Sequence, residues 1–461
     1  MTTSPSAAAS ARPIDPQVMK RAVRGTFVGN LMEWYDVGVF GYLIVTMGPV
    51  FLPDASPAAQ VLFMLGAFAS TYVFRPLGGI FFGWLGDRIG RQRVLFITLS
   101  MVVLATFTIG LLPGYATIGM TAVVLLVLLK VLQGFSAGGE LTGALTFIAE
   151  HAPDKRRGFF CAFLDAGSFL GFSAGATVVT LMQLGFGQQA MQDGLWRIPF
   201  LIAGPIGLAA IYMRLKVEES PLFAELHEQR VAGLRKPSNP LSTLRANWLP
   251  MLQTVILVAA ANTAGYAFTS YMPTYLAGLG NLDAISSNLL GVPVLILMAL
   301  SMPFIGMLSD RVGRKPVLWV GSIWTVLCSV PAFMLLSSGN IPLVVCGLVL
   351  IGIPVALYMG ALAATLPALF PTDQRNSALG MSYNVSVAVF GGTAPIIIES
   401  IIRSTGSHLA AGFYLAVMAL LGIIAVKGIK ESAGKPLLQS HDAPILPAQG
   451  TTVPNRATTQ L

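Results

Sequence analysis

Charged side chains inside the long apolar stretches of this chain are the residues whose types and spacing could do chemistry. An ionised group is costly within a bilayer and usually faces a partner or a cavity. Asp36 follows Arg24 by 12 residues and Arg75 precedes Asp87 by 12, so both are predicted about 18 Å from the same membrane face. We expect Asp36 and Arg75 to meet near the middle of the membrane. The stretches contain the charged residues Glu33, Asp36, Arg75, Lys130, Glu140, Asp165 and Glu399.

A carboxylate beside an arginine binds a proton more tightly when the ion pair opens. Such a group can therefore couple proton movement to a change of conformation. The candidates for proton coupling are Asp36, Glu33, Glu140 and Asp165. Lys130 is expected to extend its amine towards the membrane surface, as long basic side chains near helix ends do. A purely structural role for the Asp36 and Arg75 charges stays open, because buried ion pairs also serve packing specificity.

Aromatic side chains on the same stretches could surround a cationic group by cation–π attraction, while Arg75 holds a carboxylate. The alternative is that most of them pack in the interior or lie at the membrane interface. The predicted substrate-binding residues are Arg75, Trp34, Tyr35, Tyr42, Tyr266, Tyr271, Tyr358, Tyr383 and Asn384.

The elements that must position these side chains follow from composition. Hydrophobic residues make up 54% of the 461 residues and charged residues 10%, against about 25% charged in soluble domains. Apolar stretches of about 20 residues match the bilayer thickness. We predict an all-α integral membrane protein with twelve transmembrane helices. The four His and three Cys do not cluster into a catalytic or metal motif, so the sequence favours neither an enzyme nor a metal site.

The predicted organisation is two six-helix bundles with both termini in the cytoplasm. Lys and Arg concentrate in alternate loops, and the positive-inside rule makes those loops cytoplasmic. The chain has a net charge of +8, and the basic cytoplasmic loops explain it without any need for nucleic-acid binding. The segments are a cytoplasmic N-terminal segment (1–24), the first bundle (25–214), a central cytoplasmic loop (215–247), the second bundle (248–428) and a disordered cytoplasmic tail (429–461).

An internal repeat relates the two bundles. The motif G-x-L-x-D-R-x-G-R occurs at 83–91 and again at 306–314, each time after the second helix of its half. The segment Pro153 to Arg157 is echoed by Pro371 to Arg375 two loops later. Two homologous halves are therefore visible in one chain.

This doubled loop resembles the signature of the major facilitator superfamily. The resemblance implies that each motif Asp accepts hydrogen bonds from the N-terminus of a helix in the opposite half, where free N–H groups favour an anion. Asp87 is then expected near Asn376, and Asp310 near Gly158. The gating residues that it implies are Gly83, Asp87, Arg88, Gly90, Arg91, Asp310, Arg311, Arg314, Arg157 and Arg375.

Finer motifs resemble the metabolite:proton symporter branch, and most of all its bacterial proline/glycine-betaine transporters. They are the stretches at 29–36, 133–144, 164–168, 196–200, 269–276 and 369–371. The resemblance implies proton-coupled import of a zwitterion such as proline or betaine across the bacterial inner membrane, driven by the proton gradient without a cofactor. It implies small-molecule substrates and lipids as partners, with no obligate protein partner. A small carboxylate such as citrate, 2-oxoglutarate or shikimate is the alternative substrate.

The end of the chain departs from osmosensing members of that group, which carry a long coiled coil. Only 35 residues follow Val426, they are rich in Pro, and they lack a heptad pattern. We expect a disordered tail and transport without tail-dependent osmotic activation.

Overall fold

The computed structural model describes residues 16–89, 91–138, 140–215, 240–278, 282–372 and 374–438, and the regular secondary structure of that part is helical throughout. Ten helices are long and apolar enough to cross a membrane. Two shorter apolar helices, Phe96–Leu111 and Arg197–Tyr212, take the places of the third and sixth predicted spans. The all-α, twelve-helix prediction is confirmed.

The spans are numbered 1 to 12 in chain order, and four of them consist of two helices. Spans 1 to 6 are Pro16–Phe51, Pro57–Val73 with Arg75–Ile89, Arg91–Leu111, Met120–Ala137 with Glu140–His151, Arg157–Ala190, and Arg197–Leu215. Spans 7 to 12 are Pro240–Tyr266 with Met272–Gly278, Ala284–Val312, Arg314–Leu336, Ile341–Thr365, Arg375–Ser386 with Ala394–Thr405, and Leu409–Gly428. Most of the predicted central loop, residues 216–239, lies outside the described residues.

Local sequence fixes where several spans begin. Ser56 caps span 2 by accepting a hydrogen bond from the Ala59 N–H at 3.3 Å, and Pro57 follows at the first helical position. Asp283 caps span 8 by accepting from the N–H groups of Ile285 and Ser286, each at 3.1 Å. These caps satisfy backbone donors that a helix start leaves free.

Spans 5 and 8 join the two halves at the inner side, defined here as the side of the loops rich in Lys and Arg. The carboxylate of Asp310 accepts hydrogen bonds from the N–H groups of Gly158 at 2.8 Å and Phe159 at 2.9 Å. A Cβ atom on Gly158 would lie 2.5 Å from the carbonyl oxygen of Gly306, so the backbones approach closely only without side chains. The contact expected between Asp310 and the start of span 5 is present.

The same two spans meet again at the outer side. The side-chain amide of Asn288 on span 8 donates to Gln183 Oε1 on span 5 at 2.7 Å. Both amides are almost completely buried. The two halves are therefore hydrogen-bonded at both ends of this helix pair.

The segment after span 12 lies against the inner side. Glu431 accepts from the N–H groups of Arg314 and Lys315 at 3.0 Å each. Burial opposes its charge, but these donors and the N–H groups of Ser432 and Ala433 hold the pKa of Glu431 below its ordinary value. The expectation of disorder is therefore wrong for residues 429–438, whereas 439–461 lie outside the described residues.

Two arginines hold the far end of this segment. Arg157, in the first half, donates to the carbonyl oxygen of Lys435 at 3.0 Å. Arg375 donates to the carbonyl oxygen of Leu438 at 3.0 Å, and the Thr372 N–H donates to the same oxygen at 3.1 Å. Residues 429–438 thus connect the two halves on the inner side.

The contacts of residues 429–438 predict an effect of the end of the chain on closure of the inner side. Deleting residues 434–461 removes the charged hydrogen bond between Arg157 and Lys435, which is worth roughly 1.5 kcal/mol or more and so about tenfold in the closing equilibrium. Ala363 of span 10 is buried and lines a small cavity between the halves. We predict about tenfold faster maleimide labelling of Ala363→Cys from the inner side, in a chain whose native cysteines are replaced. Deleting only residues 439–461 is the control and should leave labelling unchanged. Equal rates for the two deletions would contradict the prediction.

Candidate functional site

Two carboxylates on one face of span 1 form the centre of the candidate site. Glu33 and Asp36 are three residues apart, which places them one above the other on the helix. Both are buried. Glu33 forms an ion pair with the equally buried Arg75 of span 2. The direct meeting of Asp36 with Arg75 is therefore not found, because Glu33 takes that place.

Asp36 pairs with Lys130 of span 4 instead. The distance from Lys130 Nζ to Asp36 Oδ2 is 3.6 Å, and the amine lies 4.3 Å from the centre of the Phe40 ring. Lys130 is only 1% exposed, so the prediction that it extends to the membrane surface is wrong. That prediction placed Lys130 near the end of its span, but its amine lies beside Asp36 within the membrane. Its direction is set by packing, which turns this face of span 4 towards span 1.

Aromatic rings surround the Arg75 side of the site. The guanidinium carbon of Arg75 lies 5.4 Å from the centre of the Tyr72 ring. Tyr72 and Tyr266 pack edge to face at 4.9 Å between ring centres, and Trp34 lies 6.1 Å from Tyr266. These rings come from spans 1, 2 and 7, so the cluster lies between the two halves. We call Trp34, Tyr72 and Tyr266 the aromatic cluster.

A small cavity holds another predicted carboxylate. Asp165 of span 5 lines it together with Asn262 of span 7 and Tyr383 of span 11. Within the described residues, Asp165 forms no ion pair with Arg75 or Lys130. The cavity brings side chains of both halves together.

Several predicted binding residues lie elsewhere. Tyr35 donates to the carbonyl oxygen of Pro199 at 3.0 Å, and Tyr358 donates to Ser322 Oγ at 2.9 Å, so both hydroxyls are engaged in packing contacts away from Arg75. Asn384 donates to the carbonyl oxygen of Gly138 at 2.5 Å. Among the others, Tyr42 lines an outer cavity and Tyr271 binds Glu399.

Some of the predicted gating residues form ion pairs, whereas others do not or lie outside the described residues. Arg314 lies 3.8 Å from the Asp310 carboxylate, Arg375 pairs with Glu150 across the halves at 2.5 Å, and Arg311 is exposed. Arg157 pairs with Asp154. Gly83 lies in the inner helix of span 2. The side chains of Glu140, Asp87, Arg88 and Arg91 and the position Gly90 lie outside the described part of the structure, as does the expected contact of Asp87 near Asn376.

Two residues of the site were missed from the sequence alone. Tyr72 precedes Arg75 by three residues and so shares its helix face, a spacing that could have indicated it. Lys130 was noticed but assigned to the surface, and no signal in the sequence reveals which neighbour a buried lysine faces. The functional roles of all these residues remain predictions.

Comparison with known proteins identifies the family. A model of the Major Facilitator Superfamily matches residues 26–395 and 281–451. The ectoine/proline transporter ProP of Corynebacterium glutamicum is 46% identical over 438 residues, covering 93% of this chain and 87% of that protein. The proline/betaine transporter of Salmonella typhimurium is 39% identical over 430 residues, covering 92% of this chain and 86% of that protein.

Solved structures agree on the fold. The proton:xylose symporter XylE, bound to 6-bromo-6-deoxy-D-glucose, superposes with a TM-score of 0.72 at 18% identity, covering 91% of this chain and 98% of that one. At this identity the likeness concerns the fold alone. This multi-pass membrane protein, with its two bundles of helices and its matches to named transporters over most of its length, is a transporter rather than an enzyme and belongs to the major facilitator superfamily.

Proposed function

We propose that this protein imports a small zwitterion, such as proline, a betaine or ectoine, together with protons by alternating access across a bacterial cytoplasmic membrane. The observation that carries the proposal is the buried Arg75, which lies beside the aromatic cluster and is paired with Glu33. The named substrates of the relatives combine a carboxylate with a positively charged nitrogen centre. The complementary groups on a protein are a cation for the carboxylate and a set of π faces for the positively charged nitrogen.

Substrate binding would exchange one carboxylate for another. Arg75 Nη2 is bonded to Glu33, while Arg75 Nε is buried and has no hydrogen-bond partner among the described residues. A substrate carboxylate can therefore approach the guanidinium and compete with Glu33. The cationic end of the substrate would then lie against the rings of Tyr72, Tyr266 and Trp34.

Proton coupling would use the neighbouring pair. The 3.6 Å between Lys130 Nζ and Asp36 Oδ2 is longer than a good charge-assisted hydrogen bond of about 2.8 Å. Asp36 Oδ1 is buried without a hydrogen-bond partner among the described residues. A proton bound there cancels the charge of Asp36 and releases Lys130. The attraction between spans 1 and 4 would thereby depend on protonation.

Charge balance favours a zwitterion over the alternative dicarboxylates. Glu33 and Asp36 neutralise Arg75 and Lys130, so the cluster of four has no net charge. A zwitterion preserves that balance, whereas a dicarboxylate adds two negative charges to a buried site. Uptake assays with labelled proline, betaine, ectoine, citrate, 2-oxoglutarate and shikimate, with and without a proton gradient, test the proposal. Accumulation of only the carboxylates would reject it.

Competition at Arg75 predicts opposite effects of two substitutions. Arg75→Lys keeps the charge but loses the planar fork of donors, so binding should weaken at least about tenfold. Glu33→Gln removes the competing carboxylate, so binding should tighten. Dissociation constants for proline and glycine betaine in detergent measure both effects. Arg197→Lys, at the outer end of span 6, is the matched control with unchanged binding, and a shift in the same direction for both site variants would exclude competition.

The Asp36–Lys130 pair predicts a loss of coupling without loss of translocation. Asp36→Asn alone leaves a buried unpaired lysine, which costs roughly 3–5 kcal/mol and is expected to lower the stability. The double variant Asp36→Asn/Lys130→Met avoids that cost. It should exchange labelled for unlabelled substrate in proteoliposomes but fail to accumulate substrate against its gradient. Gradient-driven accumulation at the level of the unmodified protein would show that the proton binds elsewhere.

The aromatic cluster predicts that substrate affinity depends on the π face of Tyr266 and not on its hydroxyl. Tyr266→Leu removes a desolvated cation–π contact worth about 2 kcal/mol, so the affinity for glycine betaine should fall roughly 30-fold. Tyr266→Phe keeps the ring and should stay within about threefold. Equal losses in the two variants would indicate that the hydroxyl, and not the ring, matters for binding.

A further inference from the structure

Spans 7 and 11 each contain a π-helical turn between their inner and outer helices. The turns are Ala267–Tyr271 in span 7 and Val387–Gly391 in span 11. A π turn interrupts the regular ladder of backbone hydrogen bonds, and such turns are frequent at functional sites. The outer helices Met272–Gly278 and Ala394–Thr405 therefore each follow a point where the span can bend.

The turn of span 11 lies directly against the aromatic cluster. A Cβ atom on Gly391 would lie 3.0 Å from the Tyr266 ring, and one on Gly392 would lie 2.1 Å from the Tyr72 ring. Only glycine fits between this backbone and the two rings. A bend at the turn must consequently move against the rings that are proposed to hold the substrate.

Hydrogen bonds tie the two spans together at two levels along the turns. Thr263 Oγ1, just before the turn of span 7, donates to the carbonyl oxygen of Phe390 in the turn of span 11 at 3.0 Å. At the last residue of the span 7 turn, the Tyr271 hydroxyl donates to Glu399 Oε2 in the outer helix of span 11 at 2.6 Å. The other oxygen, Glu399 Oε1, accepts from Arg403 Nε at 2.5 Å.

Glu399 is a buried carboxylate that the proposed proton and substrate steps do not use. It is 1% exposed, and both of its oxygens are bonded. Glu399 and Arg403 lie one helical turn apart on span 11, and their ion pair does not need a tyrosine from span 7. The link to Tyr271 therefore has a consequence of its own, which is to hold the outer helix of span 11 to the residue from which the outer helix of span 7 starts.

We propose that Glu399 is a positioning residue that, through Tyr271, fastens the outer helices of spans 7 and 11 into one gate. The gate bends at the paired π turns and closes the outer cavity, which Thr274 and Ala277 of span 7 line together with Tyr42 and Thr46 of span 1 and Asn288 of span 8. Closing the gate presses the Gly391–Gly392 backbone against the aromatic cluster. Opening requires both outer helices to move together, since the Tyr271–Glu399 bond joins the outer helix of span 11 to the residue directly before the outer helix of span 7.

The inference assumes the proposed transport cycle, but its test needs neither a substrate nor a proton gradient. Thr274→Cys is placed in a chain whose Cys161, Cys328 and Cys346 are replaced by Ser. Thr274 is buried, lines the outer cavity, and its hydroxyl has no hydrogen-bond partner among the described residues. Labelling by a membrane-impermeant maleimide from the outer side then measures how often the gate is open.

Breaking the clamp should raise the labelling rate. We expect about a tenfold increase in Tyr271→Phe and Glu399→Leu, the size of one charged hydrogen bond in an opening equilibrium. Glu399→Gln keeps an oxygen acceptor for Tyr271 and should restore labelling to within about threefold of the parent. Tyr358→Phe is the matched control, because it removes a buried tyrosine hydrogen bond to Ser322 in the same half but away from the gate.

Three outcomes would overturn the proposal. The first is unchanged labelling in Tyr271→Phe, which keeps the Glu399–Arg403 pair and so decides the matter even if Glu399→Leu does not fold. The second is an equal increase in Tyr358→Phe, which would indicate general loosening of the half. The third is a Glu399→Gln protein that labels normally and exchanges substrate but no longer accumulates it, which would make Glu399 a proton-coupling group.

Failure of uptake in every variant and the parent would reject the proposed function while leaving the labelling result valid.

Discussion

The cost of an unpaired charge inside a membrane is the constraint on which the rest of this structure depends. Glu33, Asp36 and Glu399 are all buried, and each is matched by a basic side chain. The first two pairs connect different helices, so the helices are held by interactions that are expensive to break without a replacement. A proton or a substrate carboxylate is such a replacement. The same constraint that stabilises the bundle thus makes its stability responsive to ligands.

The interface between the halves shows how that response could be transmitted. Spans 5 and 8 are in contact at both ends, through Asp310 at the inner side and through Gln183 and Asn288 at the outer side. Small residues let the backbones touch at the inner end, where main-chain N–H groups and the Asp310 carboxylate form the contact. A few hydrogen bonds at each end, each of modest strength, suit an interface that must open on one side at a time.

The aromatic cluster connects the charged centre to the moving parts. Tyr72 contacts Arg75 on one side and the span 11 backbone at Gly392 on the other. Tyr266 contacts Trp34 and Gly391. A substrate held between Arg75 and these rings would therefore touch helices of both halves at once. This is the physical requirement for a ligand that lowers the barrier to a change between outward and inward states.

The sequence by itself determined the class of molecule, the twelve spans and the two related halves, whereas the partner of Asp310 was implied by the family resemblance. These follow from quantities that act along the chain, namely apolar length, loop charge and a repeated motif. It did not determine which charges pair, that Lys130 faces Asp36, that Tyr72 belongs to the site, or that residues 429–438 bind Arg157 and Arg375. Depth in the membrane can be counted from residue numbers, but the direction of a side chain around its helix is set only when neighbouring helices pack. For that reason the tertiary structure alone decided how the site is built.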